Sequence, residues 1–213
     1  MKSLEKYIKY TKKNLNQIQL TCYIANTNRI LNNLDTLSKI TNLQRATYDE
    51  DNMCAYAWRV RKYFADAGTA IDLGCGIGYQ TLQLSKLVPD VHFDMLDKTG
   101  VETPNQYTDT GYLHNNLDMT LDYVLNHNIN ASVWDVDEYT WDTPVDVVIS
   151  TLSWGWHYPV ELYIDQVLSV TPKYIIFDNR LPKPPKIKNY TLVDRFTINR
   201  KEVSLVYQSL LQL

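Results

Sequence analysis

Apolar positions along the chain fall into two textures. Over residues 1 to 66 they recur at helical intervals, at Leu4, Tyr7, Ile8, Leu15, Ile18 and Leu20 and again at Ile24, Ile30, Leu31 and Leu34. Asp51 or Asn52 is placed to cap a further helix through Tyr56, Trp58, Val60 and Tyr63 to Phe64, which Ala67-Gly68 stops. No segment here alternates as a strand does. Residues 1–66 are therefore predicted as an N-terminal helical cap, and residues 67–213 as the main domain.

Beyond residue 67 short apolar runs alternate with helical patterns. Strands are predicted at Thr69–Leu73, Val91–Leu96, Ala131–Trp134, Val145–Ser150 and Tyr174–Phe177. Helices are predicted over Gln80–Leu87, Leu117–Leu125 and Val160–Val170. Two late strands, Thr191–Ile198 and Glu202–Gln208, flank Asn199-Arg200-Lys201 as a hairpin. This alternation implies an α/β fold: a doubly wound, mostly parallel seven-stranded sheet with helices on both faces and an antiparallel terminal hairpin. The Pro-rich stretch Leu181–Pro185 reads as a loop, a lid or a rim.

Composition removes several classes. Apolar runs such as Val145–Ile149 fall far short of the ~20 residues of a membrane span. Met1–Lys6 lacks the apolar centre of a secretion signal, so a cytoplasmic protein with no membrane partner is expected. Cys22, Cys54 and Cys75 are an odd set that reads as free thiols in a reducing compartment. No Cys/His cluster has zinc-ligand spacing, and no metal is expected. A net charge of −3 and a pI near 5.8 disfavour a nucleic-acid partner, which needs a clustered basic face. The lysines at Lys2–Lys13 and Lys183–Lys188 read as solvated faces.

The densest chemical signal is Asp72-Leu73-Gly74-Cys75-Gly76-Ile77-Gly78, between the first strand and first helix of the α/β region. A doubly wound sheet binds its ligand at such carboxyl strand ends. Glycines let a ligand approach the main chain, and the following helix N-terminus offers amides. The spacing Gly-x-Gly-x-Gly differs from the dinucleotide pattern Gly-x-Gly-x-x-Gly. Asp72 would repel a pyrophosphate but suits an ammonium, so a ligand with an amino-acid end is expected. Asp97 ends the second strand about 20 residues past the last glycine, where a carboxylate accepts hydrogen bonds from ribose hydroxyls. Asp94 competes for that role from mid-strand.

Ala70–Gly78 together with Asp97 resembles the class I S-adenosylmethionine-dependent methyltransferases, over about residues 66 to 213. The resemblance implies S-adenosyl-L-methionine as cofactor, with Asp72, Gly74, Cys75, Gly76 and Gly78 around its methionine part and Asp97 on its ribose. It implies an adenine contact after the third strand. Asp135 takes that role, with Val136 offering a backbone amide and an apolar wall and Asp137 as the alternative. Pro144–Ser150 resembles the family's fourth strand, in which Asp146 reads as structural. Thr151 to Trp154 would then line the cofactor near its sulfonium. The long link Lys98–Asn130 departs from the pattern, and its polar half, Gly100–His114 with Tyr107, Tyr112 and His114, reads as a lid over cofactor or substrate. The Pro-rich connection after Asp178-Asn179-Arg180 leaves little room for the helix usual there.

Ser153-Trp154-Gly155-Trp156-His157-Tyr158-Pro159 follows the fourth strand, which in this fold faces the transferable methyl group. His157 is the candidate general base, its ordinary pKa lying near ~6.5; a helix-capping role is the competing reading. Trp154, Trp156 and Tyr158 are candidate substrate walls, with core packing as the alternative. Arg180 is a candidate partner for a substrate anion or a loop ion pair. Tyr48, Trp58 and Arg61 are placed to close the site by position alone. No Asn/Asp-Pro-Pro-Tyr/Phe stretch for base methylation follows the strand. The expected function is O- or N-methylation of a polar small molecule, such as a sugar. The alternatives are an RNA or protein methyltransferase, a non-catalytic cofactor-binding subunit, and another reaction of the sulfonium such as cleavage or aminopropyl transfer.

Overall fold

The computed structural model of the protein describes residues 50–76, 78–98, 117–156, 158–181, 183–197 and 203–211. The expectations placed on residues 1–49 and on Tyr107, Tyr112, His114, His157 and the hairpin turn at 199–201 lie outside the described residues. The elements are α1 (Glu50–Val60), a 3-10 turn (Arg61–Phe64), β1 (Thr69–Leu73), α2 (Tyr79–Ser85), β2 (His92–Asp97), α3 (Leu117–Asn126), β3 (Ala131–Asp135) and β4 (Val147–Ser150). A second 3-10 turn (Val160–Leu162), α4 (Ile164–Ser169), β5 (Tyr174–Asn179), β6 (Tyr190–Thr197) and β7 (Val203–Ser209) complete them.

The seven strands form one sheet in the order β3-β2-β1-β4-β5-β7-β6. β1 to β5 run parallel, and β7 enters antiparallel between β5 and β6. The predicted doubly wound sheet with an antiparallel terminal hairpin is therefore the observed one. The chain winds outward from β1 through β2 to β3, then returns to the other side of β1 as β4. That reversal opens a crevice at the carboxyl ends of β1 and β4. The register sets those ends level: Leu73 lies opposite Leu96, Asp97 opposite Asp135, and Ser150 opposite Phe177. Gly74, Asp97, Val136 and Thr151 consequently share one rim.

Side chains alternate across each strand, so the sheet carries two cores. Ala70, Phe93, Met95, Val147, Ile149 and Ile176 face α1, α2 and α3. Ile71, Leu96, Val148, Ile175, Phe177 and Leu205 face the second 3-10 turn and α4. Burial on both faces explains why the parallel strands read as continuous apolar runs.

One local expectation changes, that of a continuous helix over Val160–Val170, and two further features position the site. Tyr56, Ala57, Val60 and Phe64 are buried in the same core as β1 and β2. The segment ahead of residue 67, as far as it is described, is thus part of the main core. Asp194 on β6 fixes it from outside, accepting from Tyr63 Oη at 2.7 Å, Arg59 at 3.1 Å and Lys62 Nζ at 3.2 Å. The single helix expected over Val160–Val170 breaks at Tyr163, whose backbone (φ −126°, ψ 6°) is not helical. The Val160 carbonyl is taken by the Trp154 indole at 2.9 Å, which anchors the turn where it stands. The connection from β5 to β6 carries no helix among its described residues, as the prolines predict. Tyr207 Oη ties it down by donating to the Pro185 carbonyl at 2.6 Å. Among the described residues no helix is long and apolar enough to cross a membrane.

Candidate functional site

The glycine turn follows β1 directly. The Gly74 and Cys75 amides donate to the Leu96 carbonyl at 2.8 and 3.2 Å. The Gly76 amide donates to Asp97 Oδ2 at 2.7 Å, and the Lys98 amide to Asp97 Oδ1 at 2.7 Å. Asp97 therefore points at the turn. It ends β2 at the rim, as its spacing predicts. Asp94 points elsewhere, accepting from Trp134 Nε1 and Tyr139 Oη at 3.1 and 2.8 Å. On the far side, Thr120 of α3 donates to the Gly76 carbonyl at 2.8 Å.

Gly74 adopts φ +79°, and a Cβ there would sit 2.4 Å from Ser153 Cβ. Only glycine fits both that backbone and that neighbour. The contact brings the segment after β4 onto the turn, beside a shallow open cleft. Its floor is apolar, from Leu73, Leu96 and Val136, and its rim is polar, from Gly74, Asp97, Lys98 and Ser153. Tyr158 and Tyr163 supply aromatic surface.

Other predicted residues take different positions. Asp72 does not line the cleft. It is 2 % exposed, faces α2, and accepts a hydrogen bond from the Thr81 hydroxyl. Burial pushes its carboxyl up to about 7, against the Thr81 hydrogen bond and with a contribution from Asp97. The expected direct contact of Asp72 with an ammonium group is replaced by support of the turn from behind. Cys75 is buried in the turn, its thiol 3.4 Å from the Gly76 carbonyl, and burial pushes that thiol up. Gly78 is the N-cap of α2 with φ +88°.

At the end of β3 the Asp135 carboxylate accepts from the Asp137 amide at 2.9 Å, closing its own turn outside the cleft. Val136 forms the apolar wall expected of it, but its amide is spent on the Asp97 carbonyl at 3.0 Å. Asp137 pairs with Lys98 Nζ at 2.8 Å. Asp146 holds the Gly68 and Thr69 amides at 2.8 and 3.0 Å, far from this rim, in the structural role read for it.

After β4, Leu152 takes φ +54°, a backbone uncommon for a branched side chain. Its amide is held by Asp178 Oδ2 at 2.9 Å. The segment then folds on itself, with the Gly155 amide donating to the Tyr158 carbonyl at 2.8 Å and the Tyr158 amide to the Ser153 carbonyl at 3.2 Å. Trp154 is a correction. It is fully buried, donates to Val160, and packs on Phe177 at 5.1 Å between ring centroids. Its ring is core, leaving no open face for a substrate. Trp156 is half-buried, and Tyr158 lines the cleft beside Asp97. The Thr151 hydroxyl is buried on the α1 side, away from the cleft lining.

Sequence reasoning missed Lys98 and Tyr163. Lys98 adjoins Asp97 and was available to it. Tyr163 reaches the cleft only because the helix breaks there, and the alternation pattern carries no mark of that.

Neither a protein-family model nor a curated protein sequence matches the chain. Solved structures do. The chain is similar to a SAM dependent methyltransferase from Aquifex aeolicus, with TM-score 0.54 and 13 % identity over 81 % of this chain and 98 % of that one. It is similar also to the mitomycin 7-O-methyltransferase MmcR, with TM-score 0.50 and 8 % identity over 86 % of this chain and 60 % of that one. With the strand order, the glycine turn and the Asp97 rim in place, the chain carries the fold of the class I S-adenosylmethionine-dependent methyltransferases.

Proposed function

We propose that the chain binds S-adenosylmethionine in the cleft between the glycine turn and Asp97 and transfers its methyl group to an oxygen or nitrogen of a small polar molecule. The observation that carries this reading is the convergence of the Asp97 carboxylate and the side-chain-free turn at Gly74 in one cleft. The donor set suits a nucleoside: a carboxylate for vicinal hydroxyls, an apolar floor for a flat ring, and Tyr158 and Tyr163 as aromatic surface. The cofactor supplies an electrophilic methyl on a positively charged sulfur.

The chain's own residues supply placement. Asp97 orients the sugar through its carboxylate at the end of β2. Leu73, Leu96 and Val136 exclude water from one side. Asp135 keeps Val136 in place by closing the turn after β3. His157, between Trp156 and Tyr158 in sequence, is the general base in this reading, taking the proton from a hydroxyl or amine. Positioning supplies most of the rate enhancement for such an in-line displacement.

Titration calorimetry with S-adenosylhomocysteine tests the reading. The wild type should bind, and Asp97→Ala should weaken binding at least about tenfold, the equivalent of ~1.4 kcal/mol. Equal affinity in the two proteins would refute it.

A further inference from the structure

Among the described residues, the charged groups that line the cleft are Asp97 and Lys98. Asp97 ends β2, and the turn after β3 begins at Val136, whose amide donates to the Asp97 carbonyl at 3.0 Å. The two strand ends are thus held side by side, and Lys98 stands next to that turn. Its ammonium bridges the gap and meets Asp137 Oδ2 at 2.8 Å. With the adenine placed over Val136, this bridge lies at the base end of the cleft.

Adenine offers two kinds of polar group at its edge: an exocyclic amine that donates, and ring nitrogens that accept. The carboxylates after β3 that could accept from the amine are committed elsewhere. Asp135 accepts from the Asp137 amide at 2.9 Å and lies outside the cleft lining. Asp137 accepts from Lys98 and also lies outside that lining. The Val136 amide, which could donate to a ring nitrogen, is spent on Asp97. The charged group left beside the base is the Lys98 ammonium.

That ammonium stays protonated. The hydrogen bond to Asp137 holds it above the ordinary lysine value, against partial burial, with Tyr163 and Asp135 adding to the effect. An ammonium carries three N–H donors and no acceptor, so one can hold Asp137 while another turns to a ligand. Facing the amine of adenine, it would set donor against donor. Facing a ring nitrogen, or a carbonyl oxygen in the amine's place, it completes a charge-assisted hydrogen bond.

We propose that Lys98 sets the specificity for the cofactor's base: it donates to an acceptor on the edge of the base, and no carboxylate reads the exocyclic amine. Asp137 is the positioning residue that holds the ammonium there. This rests on the cofactor reading above and deepens it. A nucleoside with a carbonyl oxygen in place of the amine is then accepted as well as adenosine.

Titration calorimetry of the full chain with S-adenosylhomocysteine and with S-inosylhomocysteine, its deaminated analogue, tests the proposal. The wild type should bind the two within about threefold of each other. Lys98→Met removes the donor and releases the Asp137 carboxylate toward the amine, so the preference for S-adenosylhomocysteine should rise about tenfold or more. Asp137→Ala removes the acceptor and keeps the donor, so its ratio of affinities should stay within about threefold of the wild-type ratio. The two side chains are 42 and 66 % exposed. Pairs so exposed contribute little to folding, and both variants should stay folded. A wild type that already prefers S-adenosylhomocysteine about tenfold or more, or one ratio shared by wild type and Lys98→Met, would overturn the proposal. In those results S-adenosylhomocysteine still binds and the cofactor reading stands. Binding of neither nucleoside to the wild type would overturn both.

Discussion

Replacing Gly74 by alanine should do two separable kinds of damage. The first is conformational. Gly74 has φ +79°, and the left-handed region costs an L-residue about 1–2 kcal/mol. Its amide is held by Leu96 at 2.8 Å, so the backbone is not free to leave that region. The second is steric. The new Cβ would meet Ser153 Cβ at 2.4 Å, too close for a rotamer change to relieve, and overpacking of this kind costs about 1–3 kcal/mol. The sum is about 2–5 kcal/mol, and at roughly 2–4 °C per kcal/mol for a chain of this size the midpoint should fall by about 4–20 °C. Ser153→Gly removes the clash and leaves the backbone cost. A double-mutant cycle in thermal unfolding should therefore recover about 1–3 kcal/mol in the Gly74→Ala, Ser153→Gly protein. Gly74→Ala unfolding within 1 °C of wild type, taking ~1 °C as the resolution of such scans, would refute the geometry of the turn. A cycle with no coupling would refute the contact with Ser153.

Two further substitutions probe what stands behind the cleft. Asp72 titrates near 7 in the folded chain against an ordinary value of 3.8. The folded state thus holds its proton more tightly, and the stability Asp72 contributes is full below the unfolded value and lost as pH rises through 7. Asp72→Asn keeps an acceptor for Thr81 without the titration, so its midpoint should gain on wild type between pH 5 and 8 by the equivalent of about 2–4 kcal/mol; parallel pH profiles would contradict this. Trp154→Ala should cost about 3–5 kcal/mol in urea unfolding, because it empties a fully buried site and releases the Val160 carbonyl. A loss below about 1 kcal/mol would return Trp154 to the role of a surface wall.

The fold was legible because its strands are buried on both faces. Runs such as Val147–Ile149 and Ile175–Phe177 have no polar side to confuse the period, and each strand was placed within a residue or two of its ends. The break at Tyr163 was not legible, since it depends on the Trp154 indole capturing the Val160 carbonyl, six residues further along. At the site, spacing found Asp97 because the rim position follows from strand length alone. Asp72 was misread in its contact because residue type cannot say which face of a strand a side chain takes. Here Asp72 shares a face with Ala70, toward α2, while Ile71 and Leu73 face the other core. The aromatic cluster after β4 divides for a similar reason: Trp154 turns inward to Phe177, and Tyr158 reaches the cleft only because the segment doubles back through Gly155.

The central claim is that Asp97 and the glycine turn hold a nucleoside whose sulfur faces the segment after β4. A crystal structure of the chain with S-adenosylhomocysteine tests it most directly. The account predicts both ribose hydroxyls within about 2.5–3.0 Å of the Asp97 carboxylate, with the adenine over Val136. Ligand bound elsewhere, or the ribose beyond hydrogen-bond reach of Asp97, would contradict it.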